Sequence, residues 1–231
     1  MFQGYSDETF EFFMAIRFNN NTDFFHSNHD WYKRAVREPC LALAEALGPT
    51  MEQLDASLER RPNRVVSRIN RDIRFAKDKS PYRDYLWLSF HSTDGDESTR
   101  PSFYFDISAN GASYGMGYYR PGRGLMNALR RRILTEPELL LEALEPIQGR
   151  FILDADTYRR MAIPDGVPDA LRPLYPIRGF YYYKPVNDFQ LLKSPALADE
   201  LIEGFTRLAP LQRYLSALVP EADADATVDR S

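Results

Sequence analysis

The sequence predicts an α+β fold, with N-terminal helices packed on a mainly antiparallel sheet and further helices after it. Three observations carry that reading. Apolar residues recur at helical spacing through the first fifty positions. A run of short β-rich segments then follows, separated by polar loops. Beyond it the chain returns to helical patterning with proline and serine start signals.

Taken in order, Ser6 or Asp7 can cap a helix from about residue 8, with Phe10, Phe13 and Met14 on one stripe. Asn19, Asn20 and Asn21 should end it, because their amides can hold turn backbone. A second helix is expected from Thr22 or Asp23, carrying Phe24, Phe25, Asn28, Trp31 and Tyr32. Pro39 suits a kink or a fresh first turn, and Gly48-Pro49 should stop the segment that follows, with another short helix over residues 51–58. Val65 to Ile69 is short and β-branched and predicts a strand. Further strands are expected at residues 85–90, 102–108 and 112–119. Ala109-Asn110-Gly111 supplies a tight turn, so the order is an antiparallel meander. Helices are expected at residues 125–134 and 138–144, and a short extended piece at 151–153. Residues 179–184 read as a strand and 188–192 as a second one. Ser194-Pro195 opens a helix through Leu208, and Pro210 opens a last one. One domain is expected over residues 1–219, followed by a small, acidic, disordered tail at 220–231.

At 231 residues with 44% hydrophobic positions, the chain can bury a sizeable core. Its net charge of −4 argues against a general polyanion binder, but the charge is unevenly placed. Residues 68–84 carry +3 and residues 118–135 carry +5, so the remainder carries −12. The single cysteine, Cys40, excludes an internal disulfide and a cysteine-rich zinc module. No secretory leader pattern opens the chain, and no apolar run approaches the ~20 residues that span a bilayer. A soluble, cytoplasmic protein without a membrane partner is expected.

The stretch at residues 68–82 is the chemical centre of the sequence. Arg68, Arg71 and Arg74 recur every third residue, and guanidiniums this close repel unless anions lie among them. Asp72 and Asp78 can neutralise two. The rest suit a carboxylate or phosphate held by bidentate hydrogen bonds. Ser80-Pro81-Tyr82 reads as a turn that brings Lys79 and the Tyr82 hydroxyl to the same place. The candidate ligand-binding set is therefore Arg68, Arg71, Asp72, Arg74, Lys79 and Tyr82. A nucleotide or nucleic-acid phosphate is the anion class best suited to it. A phosphate-ester enzyme with Asp72 or Tyr82 moving the proton is open, though no motif demands it. The competing reading is an Arg–Asp network that only ties the helical half to the sheet.

Other motifs are weaker. The glycines from Gly115 to Gly124 fit neither the dinucleotide fingerprint nor the P-loop, so no cofactor is expected. Arg120 and Arg123 would join the first cluster if the fourth strand lay near it, whereas Arg130, Arg131 and Arg132 read as a solvated helix face. His26 and His29 would need Asp23 or Asp30 to hold a metal, and no metal site is expected. Tyr118, Tyr119 and the Tyr181-Tyr182-Tyr183 run alternate across strand faces. Outward rings beside arginines can stack bases, but such rings more often cover the second face of a sheet.

These residues resemble a bacterial family known as domain of unknown function 2461. Its Arg-x-x-Arg-Asp-x-Arg-Phe core, followed by an acid–Lys pair and a Tyr, is matched by Arg68, Arg71, Asp72, Arg74, Phe75, Asp78, Lys79 and Tyr82. Asn19-Asn20, Phe25, Asn28 and Tyr32 match an N-terminal pattern, and Phe24 stands where the family usually has Trp. The likeness spans most of residues 5–208, including the strand end at Tyr119-Arg120-Pro121. It implies family membership and no particular activity.

Overall fold

The computed structural model describes the chain except for residues 75–76, 95–98, 119 and 220–231; the expected tail lies outside the described residues. The architecture is α+β. Helices α1 (Asp7–Phe18), α2 (Thr22–Ser27), α3 (His29–Tyr32), α4 (Glu38–Leu54) and α5 (Pro62–Val65) precede the sheet. Strands β1 (Tyr85–Phe90), β2 (Ser102–Ser108) and β3 (Gly111–Gly117) lead to α6 (Arg123–Thr135) and α7 (Pro137–Leu144). Strands β4 (Ile152–Thr157) and β5 (Ile177–Val186), then α8 (Phe189–Leu192) and α9 (Ala196–Ser216), complete the order. The strands form one five-stranded antiparallel sheet in the order β1-β2-β3-β5-β4. Among the described residues no helix is long and apolar enough to cross a membrane.

The chain divides into two compact units. The first comprises Met1–Phe90, Tyr104–Tyr114 and Pro185–Glu203. Within it, α1 turns Phe10, Phe12, Phe13 and Ile16 inward, and the Ser6 N–H donates to Thr9 Oγ1 at 3.1 Å at its start. The Asn21 side chain accepts from Phe24 N–H at 2.9 Å, so the Asn cluster both closes α1 and opens α2. A π-helical turn, Lys33–Arg37, joins α3 to α4. It carries Arg37, whose Nη1 donates to the carbonyls of Val66 (3.3 Å) and Ser67 (3.0 Å). Cys40, Leu43, Leu47 and Met51 of α4 are fully buried.

Three expectations change in this unit. Gly48-Pro49 does not end α4, which runs through Pro49 to Leu54. A proline inside a helix loses one backbone hydrogen bond and costs about 3 kcal/mol. Burial of Leu47 and Met51 on either side of it, each worth about 1.5–3 kcal/mol, offsets that. Residues 65–69 do not form a strand. Val65 ends α5, and the chain then meets the sheet at the Val66↔Leu88 bridge, through the Ser67 N–H bond to Trp87 O at 2.9 Å and through the Trp87 N–H bond to Ser67 Oγ at 3.1 Å. Residues 188–192 are helix α8, because the Asp188 carboxylate accepts from the N–H groups of Gln190 (2.8 Å) and Leu191 (3.3 Å) and nucleates a turn.

The second unit comprises His91–Phe103, Gly115–Lys184 and Gly204–Ser231. Its strand β4 pairs with β5 in antiparallel register, with Asp154 opposite Tyr181 and Asp156 opposite Gly179. Strand β3 approaches β5 so closely that a Cβ on Gly115 would lie 2.0 Å from the Tyr182 carbonyl oxygen. Buried Leu125, Leu129 and Ile133 make the inner stripe of α6, and Phe103 meets Phe205 edge-on at 5.4 Å. The two helices expected around Pro210 are one, α9, with the proline inside it.

Candidate functional site

The 68–82 segment folds back on itself in the first unit. Asn70 and Tyr82 bridge antiparallel, Arg71 N–H donates to Pro81 O at 2.9 Å, and Arg83 N–H donates to Ile69 O at 2.8 Å. The base of the loop is fastened from α1's end. The Asn20 amide donates to Tyr82 O at 2.9 Å and accepts from Tyr82 N–H at 3.0 Å. The Tyr82 ring is buried and stacks on Phe25 at 4.2 Å, and burial pushes its phenol up from the usual value. Two residues on, Asp84 accepts from Arg17 Nε at 2.6 Å. Asn20, Phe25 and Tyr82 thus meet at one joint, although the first and last are 62 positions apart in the chain.

Two of the candidate guanidiniums have carboxylate partners in the loop. Arg71 pairs with Asp78, whose carboxyl also accepts from the Ser80 hydroxyl (2.7 Å) and N–H (2.9 Å). The Ser80 contacts first, then Arg71, hold Asp78 well below the usual carboxylate range. Arg74 grips Asp72 through Nε (3.0 Å) and Nη2 (2.7 Å), which lowers the Asp72 carboxyl to about 2. Lys79 Nζ donates to the Ile73 carbonyl at 2.9 Å. Arg83 donates to the carbonyls of Arg68 (2.7 Å) and Asn70. Arg68 and Lys77 are exposed and have no side-chain partner among the described residues.

The charge balance follows. Asp84 is engaged by Arg17 and Asp72 and Asp78 are the acids that act within the loop, so among the described residues Arg68, Lys77, Lys79 and Arg83 keep their charge uncompensated by a carboxylate. Beside them, the outward face of β1 carries Tyr85 and Trp87, with ring centres 5.8 Å apart. The Arg83 guanidinium lies over the Trp87 ring at 4.7 Å. Tyr85 and Trp87 are the residues that the charge pattern alone does not single out. Alternation along β1 is the signal that finds them, since it sends Leu86 and Leu88 inward and leaves the rings outside.

The second unit holds a separate pocket of about 550 Å³. Arg120, Arg123, Asp154, Asp156, Arg178 and Tyr181 are among the residues lining it, and none of the 68–82 loop does so. Arg120 has a left-handed backbone with φ of 56°. Arg178 pairs with Asp156, and its guanidinium lies 5.6 Å from the Tyr158 ring centre. Arg130 approaches the same ring at 5.5 Å while donating to the carbonyls of Tyr175 (2.8 Å) and Ile177 (2.5 Å), so it is a structural tie and not a solvated face. Arg132 pairs with Glu136 at 2.5 Å. Among the described residues no three of His, Cys, Asp and Glu gather as a metal-holding group.

A family model described as "Conserved hypothetical protein (DUF2461)" matches residues 8–214. A search of curated proteins returned no match.

Proposed function

We propose, from the premise that the chain belongs to the DUF2461 family of conserved hypothetical proteins, that it is a cytoplasmic binding protein for a phosphate-bearing ligand, a nucleotide or a nucleic-acid strand. The ligand lies along the outer edge of the 68–82 loop. The observation that carries the reading is the surplus of cations beside a pair of rings on the outer face of β1, Tyr85 exposed and Trp87 half-buried. Arg68, Lys77, Lys79 and Arg83 keep positive charge that no carboxylate among the described residues cancels, and Tyr85 and Trp87 stand on β1 with the Arg83 guanidinium over the Trp87 ring. Phosphates take the cations and a base stacks on the rings, at about 1–3 kcal/mol per base. Arg74 joins them at small cost. Its pair with Asp72 is exposed on both sides and weakly held against solvent and salt, so a phosphate can replace the carboxylate. Arg71, Asp78 and Tyr82 hold the loop in shape.

A second reading has its own support. Arg71 and Arg74 are each closed by an aspartate, Lys79 by a carbonyl, and Tyr82 is buried, which is how a purely structural network would look. The two readings part on one experiment. Fluorescence anisotropy of a labelled oligothymidylate and of a labelled ATP is measured against the full chain, with thermal midpoints in parallel. On the binding reading, R68A/K77A weakens the oligonucleotide at least tenfold and leaves the midpoint near wild type. It also reduces the salt slope by about 1.4, from ~0.7 per phosphate contact on a single strand. W87A removes the stacking share. If neither probe binds, or if R68A/K77A binds like wild type, the structural network is the function of the loop.

A further inference from the structure

We infer that the pocket of the second unit is a binding site for a small phosphate monoester that carries hydroxyl groups, of the sugar-phosphate kind. This goes beyond the loop reading and does not depend on it. The pocket's volume, about 550 Å³, falls within the ~300–1,000 Å³ of small-molecule sites. Its charged groups are unevenly committed. Arg178 is already oriented, by Asp156 on one side and by the Tyr158 ring on the other. Arg123 is exposed and has no side-chain partner among the described residues, and Arg120 lines the same wall. Asp154 lies two residues from Asp156 on the same face of β4, and its carboxylate has no side-chain partner among the described residues. An uncommitted guanidinium and an uncommitted carboxylate in one cavity ask for a ligand with both an anion and hydrogen-bond donors.

The rest of the wall fits that chemistry. A Cβ on Gly117 would lie 2.7 Å from Tyr181 Cδ1, so the Tyr181 ring is laid down against a strand with no side chain there. The ring forms a flat wall for the apolar face of a sugar. Arg120 sits in the left-handed region, where a non-glycine residue is strained and is retained at functional positions more than elsewhere. Arg120 and Arg123 take the phosphate, Arg178 its third side, and Asp154 accepts from a sugar hydroxyl.

Calorimetric titration of the full chain with ribose 5-phosphate, AMP and inorganic phosphate tests the assignment. Ribose 5-phosphate is expected to bind at least tenfold tighter than inorganic phosphate. AMP binding equally well extends the site to nucleotides, and AMP excluded confines it to free sugar phosphates; either outcome supports the phosphate-monoester assignment. Arg123→Ala should weaken ribose 5-phosphate at least tenfold, with Arg123→Lys recovering part of the loss. Asp154→Asn should abolish the preference over inorganic phosphate. Arg120→Gly relieves the backbone, so it is expected to raise the thermal midpoint while lowering affinity, which a merely damaged fold would not do. Binding unchanged in R123A and D154N, or no binding of any probe by a wild-type chain that melts cooperatively, overturns the proposal. Loss of ribose 5-phosphate binding in R68A/K77A but not in R123A would assign it to the loop instead.

Discussion

Asn20 and Tyr82 show what a single side chain contributes to the loop. One amide serves both backbone groups of Tyr82, so its carbonyl and N–H stay satisfied where the ring goes into the core. Replacing Asn20 by Ala leaves both groups unpaired, at about 1–3 kcal/mol each where water cannot reach them. The expected result is a loss of about 2–4 kcal/mol in denaturant unfolding, with Asn20→Asp restoring only the half that accepts from the N–H. An unchanged midpoint in N20A would mean that solvent reaches the joint. The amide pair at Asn19-Asn20 is visible in the sequence as turn-forming residues. That Asn20 spends its side chain on Tyr82 is visible only in three dimensions, because the two residues are 62 positions apart and meet only once the elements that carry them pack together.

At the scale of elements, local signals are right where the chain answers to its own backbone and wrong where burial overrides them. The capped start of α1, the start of α2 at Thr22 and the strands β1, β2 and β3 lie where spacing and turn residues put them. Pro49 and Pro210 lie inside helices, since the apolar stripes of α4 and α9 continue through them. The closest fit in the second unit is between β3 and β5. A methyl group at Gly115 would meet the Tyr182 carbonyl oxygen at 2.0 Å, backbone that cannot step aside. Gly115→Ala is therefore expected to destabilise by about 2–3 kcal/mol or to abolish folding, whereas the same change at Gly166, with nothing within 4 Å, should be near neutral. Thermal unfolding of the two variants side by side decides it.

For the whole molecule, the net charge of −4 hides a positive loop in one unit and an arginine-lined pocket in the other. The loop carries its own pH dependence. Asp72 and Asp78 have folded-state values depressed from an ordinary 3.8, Asp72 to about 2. A depressed carboxylate contributes stability that is fully present above its unfolded value and lost as pH falls through the folded one. The loop's ion pairs are thus expected to be intact at pH 5. They should weaken from about pH 4 downward, with Asp72 protonating near pH 2 and Asp78 below it. Carboxyl carbon shifts in an acid titration check this, and D78N should remove the later step. Both groups are exposed, so the effect on global stability is small.

The sequence by itself determined the fold class, most of the elements, the family and the place where positive charge concentrates. Each of these depends on composition, spacing or a contiguous motif, and such quantities are local. Tertiary structure alone decided how that charge is used. It closed Arg71 on Asp78, gave Asp84 to Arg17 and buried Tyr82, while leaving Arg68 and Lys77 outside. It also built the second pocket from Arg120, Arg123, Asp154, Asp156 and Arg178, which lie on either side of more than twenty intervening residues. The reason is physical. A side chain's partner is set by which elements pack together, and that is a property of the shared core, not of any one segment that enters it.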